Sequence, residues 1–138
     1  MKVKTSKLTG AALDWAVCMA KGIKPEDIYI SKWPGLKSAS LFRRNRDEDG
    51  NLDGSYTTGP DLLFSRSWEA GGPLLSKERI SRTIDHSGLW IAYWTDEYTE
   101  GDAGKLWMQC DRSELVAGLR CFVASRLGDE VEVPDDLA

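Results

Sequence analysis

The chain has 138 residues, 41% hydrophobic and 29% charged, the size and balance of one globular domain rather than of a disordered or fibrous chain. Its net charge of −4, without a long basic run, disfavours attachment to nucleic-acid phosphates. The start, MKVKTSKLTG, has no apolar stretch behind its charges, which predicts a protein neither exported nor membrane-bound.

In chain order, Met1 and Val3 alternate with Lys2 and Lys4 and predict a short strand. Thr9 follows as an N-cap, and Leu13, Ala16, Val17 and Ala20 form one helical face that ends at Gly22. Ile28, Ile30 and Trp33 predict a strand stopped by Pro34-Gly35. The polar stretch RRNRDEDGNLDGSYTTGP predicts a flexible hairpin arm at about 43–58. Its Arg43-Arg44-Asn45-Arg46 cluster is largely cancelled by Asp47-Glu48-Asp49.

Leu89, Ile91 and Tyr93 then fall on one face of a strand, and Trp90 and Trp94 on the other. A strand apolar on both faces is expected to be central or to meet a partner. Across the TDEYTEGDAG loop, Leu106 and Met108 predict its antiparallel neighbour. Asp111 and Glu114 have capping-box spacing and predict a helix with Leu115, Leu119, Phe122 and Val123 as its apolar stripe. Ala117, Cys121 and Ala124 make a small-residue strip on another face, and Gly128 ends the helix. Two valines in DEVEVPDDLA predict an edge strand and a fraying tail. Helix, strands and helix without βαβ alternation predict an α+β fold, a single domain over 1–138 with two main helices on one face of an antiparallel sheet.

Chemistry is sparse. Asp49, Asn51 and Asp53 have the spacing of half a calcium loop, but its twelfth position is Pro60. His86 stands alone in a turn, and no G-x-S-x-G elbow, phosphate loop or distinctive carboxylate pair occurs. Cys18, Cys110 and Cys121 lack metal-ligand spacing and suit a reducing cytoplasm. No catalytic residue, metal or cofactor is expected, and an enzyme is the minority reading.

The stretch SWEAGGPLLSKERI, Ser67 to Ile80, carries two readings. As a corner, Gly71 or Gly72 takes positive φ, Pro73 opens a helical turn, and Trp68 packs on Leu74 or Leu75. As a ligand platform, Trp68 is an aromatic shelf, Gly71, Gly72 and Pro73 offer open backbone, and Arg79 supplies the counter-charge.

MKVKTSKLTGAALDWAVCMAKG, TTGPDLLFSRSWEAGGPLLSKERI and LVAGLRCFVASRLGDEVEVPDDL resemble, in that order, the NinX-like proteins of lambdoid-type phages and prophages. The resemblance spans about half the chain and leaves out 37–56 and the TDEYTEGDAG loop. It implies a phage or prophage accessory protein in the cytoplasm of the bacterial host, and it supplies no catalytic residue. Trp68, Gly71, Gly72 and Pro73 match the family's central block, whereas Ser67 stands where an Asp is common. The function expected is binding without catalysis, sequestering a nucleotide-derived small molecule of host defence on Trp68, Gly71, Gly72, Pro73 and Arg79. The alternative is a protein-protein interaction module acting on a host or phage protein through exposed tryptophans such as Trp33 or Trp94. A homodimer or higher homo-oligomer is expected from the two-faced strand and the small-residue strip.

Overall fold

The computed structural model describes residues 1–32, 39–57, 59–95 and 106–137. Along them run β1 (Lys2–Lys4), α1 (Gly10–Ala20), β2 (Ile28–Ser31), β3 (Ser40–Arg46), β4 (Leu52–Thr57), α2 (Trp68–Lys77), β5 (Ser81–Ile84), β6 (Trp90–Thr95), β7 (Leu106–Asp111), α3 (Glu114–Leu127) and β8 (Glu130–Glu132). The fold is α+β with antiparallel pairing throughout. Its strands are divided among three sheets, β1-β8, β2-β3-β4 and β5-β6-β7, and α2 joins the two expected helices.

Helix α1 begins and ends where its pattern predicts. Thr9 is extended at the N-cap position, although its hydroxyl caps no N–H. At the other end Gly22 has φ +83, its N–H donates to Met19 O and that of Ile23 to Cys18 O, the double bond of a Schellman stop. Leu13, Ala16 and Val17 are fully buried.

Helix α3 is the centre of the molecule. Leu115 and every residue from Ala117 to Ala124 are buried, as expected of a helix enclosed on all sides. It packs on α1, α2 and one face of β6 and β7. Burying each of Leu119, Phe122 and Val123 contributes about 1.5–3 kcal/mol. The small-residue strip Ala117, Cys121 and Ala124 is buried within the chain, with Cys121 Sγ 3.6 Å from the Trp107 carbonyl, and the neighbouring Gly118 receives Leu75. The N-cap is Ser113, whose Oγ accepts from Val116 N–H, and not Asp111. Asp111 is still part of β7, and its carboxylate accepts from Ser113 N–H and pairs with Arg120.

Strand β6 is central in its sheet, as its two apolar faces predict. Trp94 packs on Trp107 with the ring centres 5.0 Å apart and the planes tilted by 42°, on the face that meets α3, so Trp94 is half-buried against the core. Trp33, Pro34-Gly35 and all of the TDEYTEGDAG loop except Thr95 lie outside the described residues.

The arm at 43–58 contains a hairpin through Thr57 whose register shifts between Arg44 and Arg46. Arg43 pairs with Thr57 and Arg46 with Leu52, and Asp47 Oδ1 fastens the turn by accepting from Asp49 and Asn51 N–H. On its outer face Tyr29 and Tyr56 stack at 4.3 Å, with Phe42 5.5 Å from Tyr56. Asp53 Oδ1 accepts from the N–H and hydroxyl of Ser55, so this carboxylate of the half calcium loop is engaged locally. Among the described residues no three His, Cys, Asp or Glu side chains converge on a metal position. No helix among them is long and apolar enough to cross a membrane.

Candidate functional site

The Ser67–Ile80 stretch is a helix where its Gly-Gly-Pro centre predicts a corner. Ser67 is extended before Trp68, and ten residues of α2 follow with Pro73 inside them. Proline in a helix removes one backbone bond and crowds the preceding turn, so packing must hold this helix in place. Leu74 and Leu75 are buried, and Leu75 sits against Gly118 of α3.

The glycine pair has two different jobs. A Cβ on Gly71 would lie 2.6 Å from the Phe64 carbonyl oxygen and 2.7 Å from Leu115 Cδ1, so glycine lets α2 approach both. Its N–H donates to Ser67 O within the helical pattern and is not open to a ligand. Gly72 instead is the seat of Trp68, whose Cε3 would be 3.2 Å from an added Cβ. Trp68 is 50% exposed.

Arg79 stops the helix. Its φ is +55, its N–H donates to Ser76 O, and Ile80 N–H donates to Leu75 O. This is a Schellman stop with arginine where glycine is usual. The rise of α2 separates Arg79 from Trp68 by roughly 16 Å along the helix axis. The five predicted residues therefore share one helix and its stop without converging on a point.

A groove of about 290 Å³ opens on another side of α2, against α1 and α3. At about 100° per residue, Ala70, Pro73, Leu74 and Lys77 lie roughly opposite Trp68 and Gly72 around α2. Ala20, Ala70, Leu74 and Phe122 make the groove's apolar walls, and Pro73 is the one predicted site residue that lines it. Lys21, Lys77 and Arg126 bring three cations to it, against the single carboxylate of Glu78. Glu78 binds Arg126 at 2.7 Å, while the guanidinium lies 5.5 Å from the Phe122 ring centre. Lys21 Nζ stands 5.1 Å from the centre of the Phe64 ring.

Each cation occupies the C-terminal end of a different helix, where its charge also opposes the negative end of the helix dipole. Sequence reasoning missed the three because they are dispersed over the chain. The available signal was a basic residue at each helix end, Lys21, Lys77 and Arg126.

Among the other described residues, the buried titratable groups Cys18, Cys121 and Asp14 are packed into the fold. Burial pushes the Cys18 and Cys121 thiols up to about 12, which withholds thiolate nucleophiles. His86 is exposed in a turn that Asp85 organises by accepting from Ser87 and Leu89 N–H. Asp14 is fully buried; its Oδ1 accepts from Ser65 N–H at 2.7 Å, and Oδ2 has no hydrogen bond but lies 3.7 Å from Arg66. Burial raises its pKa despite the Ser65 hydrogen bonds and the Arg66 charge.

A search of curated proteins finds no match. The family model described as bacteriophage P22 NinX matches residues 4–126, running through both 37–56 and the TDEYTEGDAG loop that the shorter resemblance omitted. The chain belongs to that phage family.

Proposed function

We propose that this phage-family protein is an accessory binding protein without catalysis, acting in the cytoplasm of the bacterial host. Its ligand is a nucleotide-derived small molecule of host defence, sequestered in the groove between the three helices. The supporting observation is the combination of an apolar floor containing Phe122 and Leu74 with Lys21, Lys77 and Arg126 around it. A planar base has apolar surface to cover, and a phosphate has cations to meet. Pro73 remains in this reading as a wall, while Trp68, Gly71, Gly72 and Arg79 act through α2.

A ligand bound only by the folded state raises the thermal midpoint, so nucleotides and cyclic nucleotides are screened by thermal shift. A stabilising compound is expected, and Lys77→Glu should weaken it by at least about tenfold through charge reversal. No shift with the whole panel, or a shift unaffected by Lys77→Glu, would overturn the groove assignment.

The second reading, a module that binds a host or phage protein, is favoured by Trp68. Half of its side chain remains exposed while its ring lies over Gly72. A tryptophan presented on a helix can anchor a protein partner. Trp68→Ala would then abolish one stoichiometric complex and leave the nucleotide shift intact.

A further inference from the structure

Taking the three-helix groove as the ligand site, we infer that Arg126 is its phosphate-binding residue and that Glu78 is the internal anion a ligand phosphate must displace. Both partners are held from the core. Glu78 follows directly on α2, and its N–H donates to the carbonyl of buried Leu74. Arg126 lies in the last turn of α3, where its guanidinium stands 5.5 Å from the ring centre of Phe122, itself 2% exposed. Arg126 Nη2 donates to Glu78 Oε2 at 2.7 Å. An anionic oxygen therefore already has a defined position on the guanidinium, beside an apolar wall.

The chemistry of the lining picks out this pair. Among the described residues of the groove, Arg126 is the one guanidinium and Glu78 the one carboxylate. A guanidinium presents its donors as a planar fork that fits phosphate and carboxylate oxygens alike, so the two anions compete for the same donors. A terminal phosphate brings more charge than a carboxylate, and three acceptor oxygens. Lys21 and Lys77 form no ion pair among the described residues, so they add attraction for an anion seated on Arg126.

Exchange of one anion for the other is easy. The Arg126 and Glu78 side chains are 49% and 23% exposed, and ion pairs this accessible shift an equilibrium by no more than about fivefold. Glu78 thus holds the guanidinium in place and weakens phosphate binding by the same interaction. Its removal should strengthen the site rather than damage it.

Isothermal titration of the full chain with inorganic pyrophosphate, a probe with phosphates and no base, tests the assignment. Glu78→Gln should tighten binding by about fivefold, because Arg126 loses its competitor. In an Arg126→Gln background the same substitution should tighten it by only about twofold, the remaining like-charge repulsion being screened by salt. Glu78→Ala provides the same comparison if the first variant folds poorly. Unchanged affinity in Glu78→Gln, or equal tightening in both backgrounds, would overturn the assignment; if Lys77→Glu still weakens binding, the groove reading stands. No pyrophosphate binding by any folded variant up to about 10 mM would overturn both. The expected coupling with pyrophosphate, without binding of any nucleotide, would support the phosphate position and overturn the nucleotide reading.

Discussion

Replacing Gly71 and Gly72 by alanine, one at a time, should move stability in opposite directions. In a helix interior, alanine is favoured over glycine by about 1 kcal/mol, and both variants receive that gain. At Gly72 the new methyl meets only Trp68 Cε3 at 3.2 Å, and the half-exposed indole can yield by a few tenths of an ångström. Gly72→Ala should therefore stabilise by about 0.5–1 kcal/mol. At Gly71 the methyl meets the Phe64 carbonyl oxygen at 2.6 Å and Leu115 Cδ1 at 2.7 Å. Backbone cannot rotate away like a side chain, so α2 must shift and loosen its contact with α3. Overpacking of this kind typically costs about 1–3 kcal/mol, leaving Gly71→Ala destabilised by up to about 2 kcal/mol after the propensity gain. The two midpoints should differ by roughly 2–10 °C, with Gly71→Ala the lower. Urea denaturation with matched m values would measure the free-energy difference directly. Gly71→Ala as stable as Gly72→Ala would refute the close-approach argument.

Arg120 should be among the costliest residues to remove. Its side chain is 7% exposed, and it donates to Leu8 O, Cys110 O and Asp111 Oδ1. Arg120→Ala leaves the partly exposed Asp111 carboxylate and two carbonyls without this donor, at a cost of about 2–4 kcal/mol in urea unfolding, and a loss below about 1 kcal/mol would contradict the account. The raised folded-state pKa of Asp14 has the opposite consequence from an ordinary salt-bridged carboxylate. Its ionised form disfavours folding above that pKa, and this penalty is relieved as pH falls through it toward the unfolded value. Comparing Asp14→Asn with wild type across pH 4–8 isolates the effect; the wild type should gain stability relative to the variant on acidification, and an opposite slope would reject it.

Much of the fold is legible locally. The Leu13–Ala20 pattern identifies α1, and Gly22 and Gly128 mark helix ends because their positive φ suits glycine. Alternation around Ile91 and Trp94 also identifies a strand with two apolar faces. Helix α2 is harder to read because Gly71, Gly72 and Pro73 all oppose helix propensity, while the contacts that offset them come from Phe64, Leu115 and Gly118. Ser67 before the helix and Lys77 in its last turn were the available end signals. The groove is less legible still, since Lys21, Lys77 and Arg126 converge only after three helices have packed. At Asp111, the capping-box spacing competed with a second role as the Arg120 partner, and Ser113 took the cap.

The ladder between β1 and β8 ties together segments made at opposite ends of synthesis. Lys2 pairs with Glu132, and Thr5 both donates its hydroxyl to Gly128 O and receives the Asp129 carbonyl at its N–H. A growing chain therefore exposes the first strand long before its hydrogen-bonding partner has left the ribosome. Helices α1 and α2 can form earlier, but their packing surface on α3 also arrives late. During synthesis, closure of this ladder therefore waits for β8, and it carries the loop-closure entropy of joining residues about 130 apart in the sequence.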